Sequence, residues 1–160
     1  MLINTRRVSG RRSLRFEDLN EALADAKRVS SQPVKTLGNW SVGEILDHLA
    51  NSVHESFAGS APPAPWLARK ILAPLLKRPM LKNGLPAGFR LGKGMEGFLP
   101  RPEVPADRAL DALHDAYSRL KNESPQKPHA FFGNLTHDEW ITLHLRHAEL
   151  HLSFVVPEFG

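Results

Sequence analysis

The chain has 160 residues and a formal net charge of +4, with apolar and charged fractions of 41% and 24%, which is typical of one soluble globular domain. It contains no cysteine, which excludes disulfides, thiolate metal ligands and cysteine nucleophiles, so any metal must be held by nitrogen and oxygen. No apolar run is long enough to span a bilayer. The arginine-rich stretch RRVSGRRSLRF is followed by acidic, amphipathic residues rather than an apolar stretch, so we expect no signal peptide and a cytoplasmic protein.

Two amphipathic helices are predicted in the first part of the chain. A basic arm at 1–15 precedes the first helix, in which apolar residues recur at helical spacing over about 16–30, before Pro33. The second helix begins at Ser41, where the sequence SVGE forms a capping box, and runs to about Phe57.

A long irregular crossover is predicted at 59–104, where proline and glycine are dense. It carries one short amphipathic helix near 66–77, whose length Pro74 and Pro79 are expected to limit. Residues 69–101 hold eight lysines or arginines against a single acid. Such a basic segment attracts phosphates or nucleic acid in some proteins and is a solvated flank of a loop in others.

The third and fourth helices complete the predicted fold. The third begins at Pro105, a residue suited to a first helical position. The fourth begins at Thr136, where THDE repeats the capping box, and continues to about Val155. Apart from an extended arm near residues 5–15, no strand pattern is convincing, so the sequence predicts an all-α four-helix bundle that forms a single domain over 1–160.

The fourth helix carries a histidine pair that can bind metal. His147 and His151 are four residues apart, so their side chains lie one turn apart on one face and can converge on one ion. His48 is the predicted third ligand, because Ile45 and Leu49 flank it on an apolar helix face. Three neutral imidazoles leave positions open for water or substrate, as in catalytic sites. The alternative is a set of hydrogen-bonded core histidines.

The remaining histidines are weaker candidates for the same site. His144 shares the face of His147 and is a candidate ligand, ligand partner or acid–base group. His114, on the third helix, is a weaker candidate for the same cavity. Ala148 stands where a zincin peptidase has glutamate, so the HExxH motif is absent. The histidines predicted to be peripheral are His54, His129 and His137.

Nearly the whole chain carries a family likeness, in the stretches RRSLRFEDLNEAL, VKTLGNWSVGEILDHLANS and FFGNLTHDEWITLHLRHAELHLSF. On these stretches it resembles the DinB-like (DinB/YfiT) superfamily of metal-binding four-helix bundles, and most closely an uncharacterised subfamily of it. The resemblance implies one divalent metal ion bound by His48, His147 and His151, and we expect this ion to be zinc, nickel or iron. Two positions depart from the superfamily pattern: Leu150 replaces a histidine and Phe154 replaces a glutamine, and the latter change implies a drier cavity.

The resemblance also implies a class of activity. Some relatives are transferases or isomerases that use bacillithiol, mycothiol or glutathione. Because this chain has no cysteine, a thiol would be a co-substrate, and the basic segment 69–101 is a candidate for holding its carboxylates. We expect a metal-dependent thiol S-transferase acting on a small electrophilic molecule, with a metal-dependent hydrolase and a non-catalytic metal-stabilised binding module as alternatives. A homodimer follows from the likeness, whereas nucleic acid and membrane are not expected partners.

Overall fold

The computed structural model describes residues 2–89 and 91–158, a part of the chain that is mostly helical. Met1, Arg90, Phe159 and Gly160 lie outside the described residues, so Arg90 of the predicted basic segment is not placed. Two short strands, β1 (Val34–Thr36) and β2 (Val155–Pro157), pair antiparallel. The α-helices of the described part are α1 (Leu19–Ser30), α2 (Val42–Ala58), α3 (Ala73–Asn83), α4 (Ala106–Asn122) and α5 (His137–Leu152).

Both predicted capping boxes are confirmed. The Ser41 hydroxyl accepts from the backbone N–H of Glu44 at 3.2 Å, and the Glu44 carboxylate accepts from the backbone N–H of Ser41 at 2.8 Å. Thr136 and Glu139 make the same reciprocal pair at 3.2 and 2.9 Å. Each box satisfies two backbone donors that a helix start leaves unpaired, so α2 and α5 begin where the sequence predicts.

Removing either cap should destabilise the protein. Ser41→Ala or Thr136→Ala is expected to lower the free energy of unfolding by about 0.5–2 kcal/mol, the usual cost of a lost N-cap. Chemical denaturation followed by circular dichroism measures this difference. Ser118→Ala, at an exposed position inside α4, is the matched control, and an equal loss in all three variants would contradict a capping role.

The sequence prediction of no strands is wrong at β1 and β2. Val34 pairs with Pro157, and Thr36 pairs with Val155. Each strand has only three residues, too few for alternation of apolar and polar residues to be visible in the sequence. The predicted extension of the last helix to Val155 is also wrong, because α5 ends at Leu152 and Val155 begins β2.

The core lies between α1, α2, α4 and α5, which pack against one another. Gly43, in the first turn of α2, allows a close approach there, since a Cβ at this position would lie 2.0 Å from the carbonyl oxygen of Val104. The segment that leads into α4 can therefore pass directly over the start of α2. Fully buried large side chains from all four helices fill the centre, among them Val29, Leu46, Leu49, Leu113, Leu120, Trp140 and Leu152.

The crossover contains a longer helix than the sequence predicts. Residues 68–72 form a π-helical segment that continues directly into α3, and Pro79 lies inside α3. The expectation that Pro74 and Pro79 limit this helix is wrong. The π-helical turn offsets the backbone ahead of Pro74. The part of α3 that follows is stabilised by packing against α5, where Lys77 Nζ lies 2.7 Å from the carboxylate of Glu139.

Candidate metal centre

Three histidines from two helices come together at the predicted place. His48 Nε2, on α2, is 3.1 Å from His147 Nε2, on α5, and one nitrogen from each of His48, His147 and His151 lies within 4.8 Å of the others. The three ring centroids are 4.6, 4.7 and 4.9 Å apart. Two imidazole nitrogens bound to the same tetrahedral ion are about 3.3 Å apart, so the separation of His48 and His147 suits a shared ion.

A backbone carbonyl sets the tautomer of His48. The ring Nδ1 is hydrogen-bonded to the carbonyl oxygen of Phe98, and because a carbonyl only accepts, Nδ1 must carry the hydrogen. The Nε2 of the neutral ring therefore presents a lone pair toward His147. A hydrogen bond from the distal N–H of a histidine to a backbone carbonyl is the usual support of a metal ligand.

The triad is held in its uncharged form. Burial lowers the pKa of His48 below its ordinary value. The pKa values of His147 and His151 are well below the ordinary range, first because of burial and then because the neighbouring imidazoles disfavour a second positive charge. Neutral imidazole is the form that binds metal ions, so the electrostatics of the site favour ligation over protonation.

The segment 97–101 lies along α2 and positions the Phe98 carbonyl. Asp47, only 1% exposed, accepts from the Arg101 backbone N–H at 2.7 Å and from its guanidinium Nε at 3.0 Å. The Leu99 carbonyl accepts from the Asn51 amide at 3.0 Å. Burial raises the pKa of Asp47, but the hydrogen bonds from Arg101 outweigh it and lower that pKa. The 97–101 segment is thus anchored to α2 at Asp47 and Asn51, which lie on either side of His48 along the helix.

An aromatic ring and a cation adjoin the triad. The Trp40 ring centroid is 4.8 Å from that of His48 and 5.5 Å from that of His151, with the latter pair stacked at 23°. The Arg11 guanidinium lies 4.2 Å from the centroid of the Phe154 ring, and its charge further lowers the pKa of His151. The sequence prediction missed both residues, although Trp40 directly precedes the capping box of α2.

Arg11 is fixed in place by the end of α5. Its guanidinium donates to the Ser153 hydroxyl at 2.7 and 3.0 Å and to the Leu150 carbonyl at 3.3 Å. The Arg12 side chain is also held in place, because it donates to both carboxylate oxygens of Asp25 at 2.9 and 2.7 Å. The predicted basic arm at 1–15 is therefore packed on the domain at Arg11 and Arg12.

His144 lies outside the triad. Its Nε2 is 3.1 Å from the Ser56 hydroxyl, and its ring stacks on Trp140 at 18°. Burial, followed by the charge of His129, lowers the pKa of His144 to about 3. The group of convergent nitrogens comprises those of His48, His147 and His151. His144 is a neighbour of that group, since its charge lowers the pKa of His147.

His129 is not peripheral, and that prediction is wrong. Its Nδ1 accepts from the backbone N–H groups of Phe131 and Phe132 at 3.1 and 3.0 Å. Its ring centroid is 5.6 Å from that of Trp140, and burial lowers its pKa to about 4. The aromatic-rich turn HAFFG is the sequence signal that marks this burial.

The other histidines are separate from the triad. His114 is exposed on α4, 3.2 Å from the Asp115 carboxylate, so its predicted place in the triad's cavity is wrong. His54 is exposed, and the His137 ring donates to the Leu120 carbonyl at 2.6 Å.

Fold and site together define a mostly helical protein with a group of three neutral histidines, of which His48 is buried and His147 and His151 are partly buried. The model of the family described as Protein of unknown function (DUF1569) matches residues 8–158, and the chain belongs to this family. The match spans all three histidines of the triad. No curated protein and no solved structure matches the chain. Among the helices of the described residues, none has the length and apolarity needed to cross a bilayer.

Proposed function

We propose that this chain is a DinB-like four-helix-bundle protein whose His48, His147 and His151 bind one divalent metal ion, with zinc, nickel and iron as the candidates. We further propose that it is a metal-dependent thiol S-transferase acting on a small electrophilic substrate. The observation that carries the proposal is the convergence of three neutral imidazoles, one of which has its tautomer set by the Phe98 carbonyl.

The donor set fits a catalytic type of metal site. Imidazole nitrogen is a good ligand for zinc, nickel and iron. Three protein ligands leave at least one position for a substrate, whereas structural zinc sites usually have four. An ion held in this way would lower the pKa of a bound thiol or water, so that a nucleophile is available near neutral pH.

The residues around the triad favour an anionic thiol co-substrate. Arg11 places a fixed positive charge near His151, which suits the carboxylates of a low-molecular-weight thiol. The Trp40 ring stacks on His151 and makes that side of the triad apolar, which suits an electrophile with little charge. The chain has no cysteine, so the thiol must come from solution.

A non-catalytic role is the second candidate, and the burial of His48, which is only 4% exposed, favours it. In that case the ion would stabilise a binding module and no reaction would occur. A hydrolase that uses a metal-activated water is the third candidate, and it differs from the transferase in needing no thiol.

One experiment separates these functions. Protein purified without an affinity tag is analysed for metal, and the metal-loaded protein is then incubated with glutathione and chlorodinitrobenzene while thiol loss is followed. Thiol loss that is absent in the His147→Ala variant supports the transferase. Metal binding without turnover of thiol or of ester substrates supports the binding module, and turnover of esters without thiol supports the hydrolase.

The contact of Arg101 with Asp47, which anchors the 97–101 segment, should influence the affinity for metal. Arg101→Ala removes the guanidinium from Asp47, so the Phe98 carbonyl is held less firmly against His48. Because loss of such a supporting hydrogen bond weakens a metal site, we expect a decrease in affinity of about tenfold, measured by titration of the stripped protein. Lys93→Ala, at an exposed position in the same crossover, is the control, and equal affinities in the two variants would contradict the role.

A further inference from the structure

One helix of the crossover exposes an apolar surface of unusual extent. It runs over 66–83 without a break, through the π-helical segment into α3, and is named here the crossover helix. Trp66 and Leu75 are each 68% exposed. Contiguous exposed apolar surface on a soluble domain usually marks a contact surface. The large apolar residues that it exposes are Trp66, Leu67, Ile71, Leu72, Leu75 and Leu76.

The exposed surface extends around most of the crossover helix between Lys70 and Leu76, so this stretch stands out from the domain as a ridge. Lys70, Ile71 and Leu72 are all exposed, as are the three residues 74–76, whereas Ala73 between them is 2% exposed. Only about one residue per turn therefore faces the domain in this stretch. A protein partner would need a matching groove for such a ridge, whereas the boundary of a lipid bilayer adapts to it.

The same face becomes basic toward the end of the helix. Arg78 and Lys82 follow Ile71 and Leu75 at spacings that place all four on one face, and both are exposed. The sequence contains no acidic residue between Glu55 and Glu96. An apolar ridge that continues into unopposed positive charge complements an anionic lipid surface.

We propose that the crossover helix docks on the surface of an anionic lipid bilayer. Trp66, Ile71 and Leu75 lie at the acyl boundary, and Arg78 and Lys82 lie among the headgroups. A second copy of the chain is a poorer occupant, because it would bring the same positive charges together. The sequence alone predicts no membrane partner, and the exposure of this ridge is what revises that expectation. The proposal is independent of the proposed metal chemistry.

Co-sedimentation with vesicles tests the proposal. The full chain should bind vesicles of phosphatidylglycerol mixed equally with phosphatidylcholine, and bind much less to phosphatidylcholine alone. The double variant Ile71→Gln/Leu75→Gln should bind at least about tenfold more weakly, because two large side chains no longer leave water. Arg78→Gln or Lys82→Gln should weaken binding about fivefold, whereas the matched control Lys27→Gln, on α1, should not.

Tryptophan fluorescence locates the contact. Anionic vesicles should shift the emission of the full chain to the blue, and Trp66→Phe should abolish the shift while co-sedimentation is retained. Absence of binding to anionic vesicles, or binding unchanged in the double variant with native circular dichroism, would overturn the proposal. Dimers that dissociate in the double variant, without vesicle binding by the full chain, would overturn it in favour of self-association.

Discussion

His147→Ala and His151→Ala are each expected to remove most of the metal from the purified protein. Both residues lie on one face of α5, and each supplies one of three convergent nitrogens, so either loss leaves a two-ligand site. His48→Ala should weaken binding as well, which separates a three-ligand site from a bare histidine pair. His144→Ala should retain the metal, because His144 is paired with Ser56.

Metal analysis after purification without a tag, followed by titration of the stripped protein, measures these effects. His54→Ala is the matched control, since it removes an exposed histidine from α2. Unfolding of each metal-free variant shows whether the fold is retained. If the wild-type protein holds no more metal than the His147→Ala/His151→Ala double variant, the triad is packed core and the proposed function fails.

Acidification is expected to destabilise the metal-free protein between about pH 6.5 and pH 4. Burial lowers the pKa of His144 to about 3 and that of His129 to about 4, whereas an unfolded histidine titrates near 6.5. In that interval the unfolded chain binds protons that the folded chain does not, so stability falls as the pH falls. Each such histidine contributes about 1.4 kcal/mol per pH unit.

Urea denaturation at a series of pH values measures the slope. His144→Gln should reduce it by about one proton's contribution, whereas His114→Gln, which removes an exposed histidine, should leave it unchanged. The pKa values of Asp25 and Asp47 are lowered in the folded protein, because arginine partners outweigh the effect of burial. The contribution of these two aspartates to stability is lost only at lower pH. The slope in the measured interval therefore reports the titration of histidines, and identical slopes in His144→Gln and His114→Gln would contradict the role of His144.

The parts of the fold that the sequence predicts correctly depend on local interactions. The starts of α2 and α5 follow from hydrogen bonds between residues three apart, which a short sequence pattern encodes completely. His147 and His151 share a face because of helix geometry alone. The inward position of His48 follows from the buried residues beside it, Ile45 and Leu49.

The parts that the sequence does not predict depend on contacts between distant residues. β1 and β2 are stabilised by pairing across more than a hundred positions, for which neither three-residue strand carries a signal. The crossover helix continues past Pro79 because packing against α5 outweighs local propensity. The contact of the Phe98 carbonyl with His48, fifty positions away, depends on the anchor at Asp47, which no local pattern encodes.

The histidines of the triad are far apart in the sequence, which affects when they can meet during folding. His48 and His147 are 99 positions apart, so closing the loop between them carries a large entropic cost. The three nitrogens can meet only after α2 and α5 have docked, so we expect the site to form after the folding transition state. We therefore expect an ion bound there to lower the unfolding rate while leaving the refolding rate nearly unchanged.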